Sequence, residues 1–159
     1  MNGYNENEQQ LMEDLGDKAI NVYEEQSPNF FLALFGGMVT ALICSALWAF
    51  ISNLIQYQIG WMAVGVGFLV GISVKVLGKG KSLEFGILGA SLALLSCVLG
   101  NSFSIYAQIA KFYDMSFFEV LGNADLSISI ELLIESFHLM DILFYGLAIY
   151  QGFKFSISN

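Results

Sequence analysis

Long apolar segments separated by short polar ones make up most of the chain after residue 30. A helix needs about 20 mostly apolar residues to cross the hydrocarbon core of a bilayer. Three segments meet this requirement, at 30–54, 59–77 and 83–109. A fourth, at 140–155, is shorter and carries Asp141 and Lys154 near its ends, where both can reach the headgroups. The segments lack the alternation of barrel strands, so the pattern predicts an all-α membrane protein with four transmembrane helices.

The positions of the lysines predict how these helices are oriented. The chain has no arginine, and three of its lysines lie at the turn between the second and third spans: Lys75, Lys79 and Lys81. Cytoplasmic loops of membrane proteins are enriched in Lys and Arg. We therefore predict that the protein lies in a cell inner membrane, with this turn and both termini on the cytoplasmic side. Trp48, Tyr57 and Trp61 flank the opposite turn, where an outer aromatic belt is expected.

The first 28 residues form an acidic tail with seven acidic residues against Lys18. Four apolar residues in it recur at helical spacing and predict a short amphipathic helix: Leu11, Leu15, Ala19 and Val22. Its negative charge argues against adsorption to anionic lipid or to nucleic acid. A solvated tail is the favoured interpretation, and a site for a basic cytoplasmic partner is the alternative. The tail lacks the features of a signal peptide, so we expect it in the mature protein.

With 56% hydrophobic and 13% charged residues, the chain has little material for a separate soluble domain. We therefore predict one transmembrane domain over 29–159.

Small residues let membrane helices approach closely. This close packing drives their association, because the hydrophobic effect does not bring apolar helices together in lipid. The glycines predicted to pack in this way are Gly65, Gly67, Gly71, Gly86 and Gly89. Packing within one chain is favoured over packing in a homo-oligomer, which would use the same glycines.

The stretch 110–139 between the third and fourth spans is predicted to be external and acidic. We expect two short interfacial helices in it, at 115–121 and 127–137. Ser127, Glu131, Glu135 and His138 follow helical spacing along the second helix and form one polar stripe. A carboxylate and an imidazole three residues apart occur in di-iron bundles, so Glu131, Glu135 and His138 are weak metal candidates. Because no second such pair is present, a water-facing stripe without metal or cofactor is favoured.

Two segments, Tyr57–Lys81 and Met140–Ser156, resemble a family of small bacterial four-helix integral membrane proteins of uncharacterised activity. The shared features are glycines and aromatic residues in the spans. The resemblance implies a bacterial inner-membrane protein, and it implies no catalytic or binding residue.

No set of acid, base and nucleophile predicts an enzyme. Cys44 and Cys97 are expected at the same depth in the membrane, as packing residues. The favoured hypothesis is a non-enzymatic accessory or scaffold protein that packs in the lipid bilayer against membrane partners or against itself. The alternative is a cation-conducting or transporting oligomer, since the external acidic residues could concentrate cations.

Overall fold

The structure is a computed structural model that describes residues 5–25, 27–55, 60–135 and 139–157. These residues form seven helices and no strand. The helices are α1 (Glu6–Glu25), α2 (Phe30–Ile55), α3 (Trp61–Gly78), α4 (Leu83–Phe112), α5 (Phe117–Gly122), α6 (Leu126–Glu135) and α7 (Leu139–Ile157). The chain is therefore all-α, as predicted.

Three of the helices, α2, α3 and α4, are long and apolar enough to cross a membrane. Helix α7, with 19 residues, covers the fourth predicted span and packs against α3 and α4. That α7 also crosses the membrane stays a prediction. Within the described residues α3 and α4 also touch each other, and they separate α2 from α7.

Many small side chains, together with a few large ones such as Trp48 and Phe85, fill the centre of this bundle, and most large apolar side chains point outwards. Ala33, Ala63 and Ala93 are fully buried, whereas Phe31 and Phe35 are 77% and 71% exposed. Exposed apolar surface on this scale is unfavourable in water. In lipid, however, close backbone approach drives helix packing and apolar side chains can face the acyl chains. The distribution of side-chain size therefore agrees with a membrane helical bundle.

A backbone hydrogen bond joins the start of α2 to the end of α3 at one end of the bundle. The Asn29 N–H donates to the Gly78 carbonyl at 2.8 Å, and the Asn29 side-chain oxygen accepts from the Leu32 N–H at 3.0 Å. Helix α3 ends at Gly78 and is capped by Lys79, whose φ of 51° is left-handed and whose N–H donates to the Lys75 carbonyl. The start of α2 is thus fixed beside the lysine-rich turn.

Helix α4 is longer than its predicted span and supports the next two helices. Its 30 residues correspond to about 45 Å at 1.5 Å per residue, more than the roughly 30 Å of a bilayer core. Helices α5 and α6 pack against α4 alone among the described helices. Helix α5 begins at Phe117, later than expected, because Asp114 takes a left-handed φ of 54° and Ser116 is extended.

Candidate functional site

The backbones of α3, α4 and α7 meet along a line of small residues, which we call the glycine seam: Gly67, Gly71, Gly89, Ala148, Gly152 and Ser156. A Cβ atom added at Gly71 would lie 3.0 Å from the Gly152 carbonyl oxygen, and one added at Gly152 would lie 2.6 Å from the Gly89 carbonyl oxygen. Gly67 lies directly against the Ala148 backbone. No larger residue fits here unless a helix moves.

Two other glycines that we singled out have different surroundings. Gly86 lies outside the seam and packs against the ring of Phe153, 2.7 Å from an added Cβ. Gly65 differs from the expectation, because it is exposed and an added Cβ would meet nothing within 4 Å. It precedes Gly67 by two residues, which puts it on the opposite side of α3.

The α7 half of the seam was not part of the sequence prediction. Ala148, Gly152 and Ser156 are buried and four residues apart. This repeat of small residues was visible in the sequence, but a search for pairs of glycines does not find it.

Buried and half-buried hydroxyl groups connect the helices through the bundle. The Ser45 and Ser96 hydroxyls both donate to the Ala41 carbonyl, at 2.7 and 2.8 Å, and so link α2 to α4. The Thr40 hydroxyl donates to the Ser73 hydroxyl at 2.8 Å and links α2 to α3. These groups are neutral and bonded within the protein, which is the arrangement of polar residues that hold membrane helices together.

Cys44 and Cys97 are both buried and unbridged, on α2 and α4. Each adjoins one of the bonded serines in sequence, Ser45 and Ser96, so both thiols lie close to the same α2–α4 contact. This position agrees with a shared depth in the bundle.

Two of the three candidate metal ligands lie among the described residues of α6. Glu131 and Glu135 are exposed, and His138 lies outside the described residues. Among residues that the structure describes, no group of three or more His, Cys, Asp or Glu side chains could hold a metal ion.

Most of the lysines lie at one end of the bundle. Lys75, Lys79 and Lys81 surround the α3–α4 turn, and Lys154 lies in the last turn of α7 at the same end, 5.5 Å above the Tyr150 ring. At the other end Trp61 is exposed, as an aromatic belt requires, whereas Trp48 is buried against Gly100. Tyr57 lies outside the described residues. The lysine distribution fits the predicted orientation, which itself stays a prediction.

Helix α1 precedes α2 at this lysine-rich end of the bundle and contacts no other described helix. Three apolar side chains lie on one face of it and are more than half exposed: Leu11, Met12 and Leu15. Its acidic residues include Asp14, which forms an ion pair with Lys18 at 2.7 Å. An apolar row on an isolated, strongly acidic helix is the candidate interaction surface of this protein.

Comparison with known proteins adds no functional information. No family model, no curated protein and no solved structure matches the chain. The class of protein is therefore defined by the fold of its described residues, which are all-helical and include three helices long and apolar enough to span a membrane.

Proposed function

We propose that this chain is a non-enzymatic accessory protein of the bacterial inner membrane that binds a partner protein through α1. The bundle of α2, α3, α4 and α7 would anchor it in the bilayer. The observation that carries the proposal is the apolar row on α1, which nothing in the described part of the chain covers.

The charge of α1 indicates the chemistry of the partner. Glu6–Glu25 contains seven acidic residues against one lysine, a net charge of −6. At 100° per residue Leu11, Met12 and Leu15 fall within an arc of about 100°, while Glu13 and Asp17 lie on the other side. Such a surface repels anionic lipid and suits a basic amphipathic segment, whose apolar residues would cover the row.

The connection between α1 and α2 supports a position for this partner at the membrane surface. Asn29 is bonded to Gly78 beside the lysine-rich turn, so α1 leaves the bundle at that end. In the predicted orientation this is the cytoplasmic face, with both termini on the same side.

A binding experiment on the full chain in nanodiscs of zwitterionic lipid tests the proposal. The probe is a fluorescent amphipathic peptide with Leu on one face and Lys on the other, and the control peptide carries Glu in place of Lys. We expect only the basic peptide to bind. Leu11→Ser with Leu15→Ser should weaken its binding by about tenfold or more, since two leucines lose their buried contacts.

The matched control variant is Gln10→Ser with Asn21→Ser, which adds two serines to the polar face of the same helix. It should bind the basic peptide as the wild type does. Equal binding of the two peptides, or equal loss in both variants, would contradict a docking role for the apolar row.

The alternative function, a cation-conducting or transporting oligomer, is supported by exposed acidic residues at the other end of the bundle: Asp114, Glu119, Asp125, Glu131 and Glu135. The buried polar residues of the described helices are neutral, and the hydroxyls of Ser45 and Ser96 are bonded within the protein. Ion pathways through membranes usually have ionisable residues within the spans. This interpretation therefore ranks second.

A flux measurement separates the two functions. Vesicles that contain the protein should lose trapped potassium no faster than empty vesicles. A faster loss that disappears in Glu131→Gln with Glu135→Gln would favour conduction.

A further inference from the structure

The acidic helix α1 is joined to the lysine-rich end of the bundle by a short connection. The Asn29 N–H donates to the Gly78 carbonyl at 2.8 Å, so the start of α2 is held directly beside Lys79. Four residues separate Glu25, the end of α1, from Phe30. An extended chain of this length covers at most about 15 Å, so the end of α1 stays close to the lysine-rich turn whatever direction the helix takes.

Two features of the connection leave it little slack. Pro28 fixes its own φ at about −65° and restricts the residue before it, Ser27, to extended conformations. Asn29 is held on both sides, because its side-chain oxygen accepts from the Leu32 N–H at 3.0 Å while its own N–H is bonded to Gly78. Helix α1 therefore leaves the bundle from a fixed point.

The two sides of this connection carry opposite charge. Glu6–Glu25 has a net charge of −6, and its residues Glu13 and Asp17 are exposed. Four lysines lie at the facing end of the bundle, against Glu84 in the first turn of α4: Lys75, Lys79, Lys81 and Lys154. The end of α1 nearest to these lysines is its C-terminus, where the helix dipole adds negative charge.

The short connection makes this charge complementarity effective. Exposed ion pairs between long side chains contribute little one at a time. Charges that lie within a Debye length of one another, roughly 10 Å at 0.1 M salt, are only partly screened, and a short tether gives an effective concentration in the millimolar range. Lys79 and Lys81 each already interact with another group of the chain, which agrees with lysines that are engaged in the unbound protein.

We propose that α1 without a partner lies across the lysine-rich end, with its carboxylates against Lys79 and Lys81, and that this contact competes with partner binding. The proposal rests on the proposed function, because it adds regulation to the α1 site. A basic partner binds the acidic helix by replacing these lysines as its cationic neighbours. The contact is therefore autoinhibitory, and high ionic strength or a strongly basic partner releases α1.

Carbodiimide cross-linking of the full chain, at one copy per nanodisc of zwitterionic lipid, tests the contact. The reagent joins a carboxylate to a lysine amine only when the two groups touch. At low ionic strength we expect cross-links from α1 to Lys79 or Lys81. Their yield should fall several-fold in about 1 M salt, where the Debye length is only about 3 Å.

Two controls lie within the chain. The Asp14–Lys18 pair on α1, 2.7 Å apart, should cross-link in every sample because the helix itself holds the two groups together. Lys111, at the other end of the bundle, should form no cross-link to α1. Absence of cross-links from α1 to Lys79 and Lys81, or an equal yield in high salt, would overturn the contact.

The basic peptide of the binding experiment tests the autoinhibition. A saturating amount should abolish the cross-links from α1 to the lysine-rich turn, and Lys79→Gln with Lys81→Gln should bind the peptide several-fold more tightly at low ionic strength. Lys111→Gln should change its affinity less than twofold. Cross-links that persist in the saturated complex, or no gain in the double variant, would refute autoinhibition. If the peptide binds no variant, the accessory function fails, and the salt dependence of the cross-links still decides the contact.

Discussion

Replacing Gly152 with leucine is expected to disrupt the bundle, whereas the same replacement at Gly146 on the same helix is expected to be tolerated. An added Cβ at Gly152 would lie 2.6 Å from the Gly89 carbonyl oxygen and 2.8 Å from the Ala93 methyl group, so α7 would have to move away from α4. At Gly146 an added Cβ meets nothing within 4 Å. Overpacking of this kind costs about 1–3 kcal/mol and more when the backbone must shift.

Thermal unfolding in a mild detergent, followed by circular dichroism and size-exclusion chromatography, measures the difference. Gly152→Leu should melt well below the wild type or elute as an aggregate, and Gly146→Leu should match the wild type. Equal melting temperatures for the two variants would mean that the glycine seam does not hold α7 in place.

A cysteine introduced at Lys79 is expected to resist a membrane-impermeant thiol reagent in cells whose inner membrane is intact. A cysteine at Glu119 is expected to react. Both belong in a variant with Cys44 and Cys97 changed to serine. The reason is the cluster of lysines at the α3–α4 turn, because positively charged loops are retained in the cytoplasm.

Opening the membrane with a permeabilising agent should make the residue 79 cysteine reactive, which shows that the site is accessible once the barrier is removed. Reaction at residue 79 and protection at residue 119 in intact cells would invert the predicted orientation. In that case α1 would lie on the side of the inner membrane that faces away from the cytoplasm, and its proposed partner could not be cytoplasmic.

Helix positions could be predicted from the sequence because apolar length and charge placement are local properties. The amphipathic spacing of the tail predicted a helix there, and α1 is observed over Glu6–Glu25. The glycine pattern also located one half of the seam at Gly67 and Gly71. It missed the other half because Ala148 and Ser156 are recognised only when all small residues are treated as equivalent.

Features that depend on contacts between distant segments were not predictable. Trp48 was expected in an aromatic belt, but the facing glycine on α4, Gly100, leaves space that its ring fills. The packing of α5 and α6 against α4 likewise depends on the reversal of the chain at Asp114, and neither apolar length nor charge encodes that reversal.

The short connection between α1 and α2 limits how far a partner bound to α1 can move from the bundle. Only four residues separate Glu25 from Phe30, and even a fully extended chain of that length reaches no more than about 15 Å. A protein bound to α1 would be confined to a thin layer next to the bilayer instead of diffusing through the whole cell volume. Its local concentration there could reach the millimolar range, so a second contact with the membrane or with the lysine-rich turn could be weak and still be occupied.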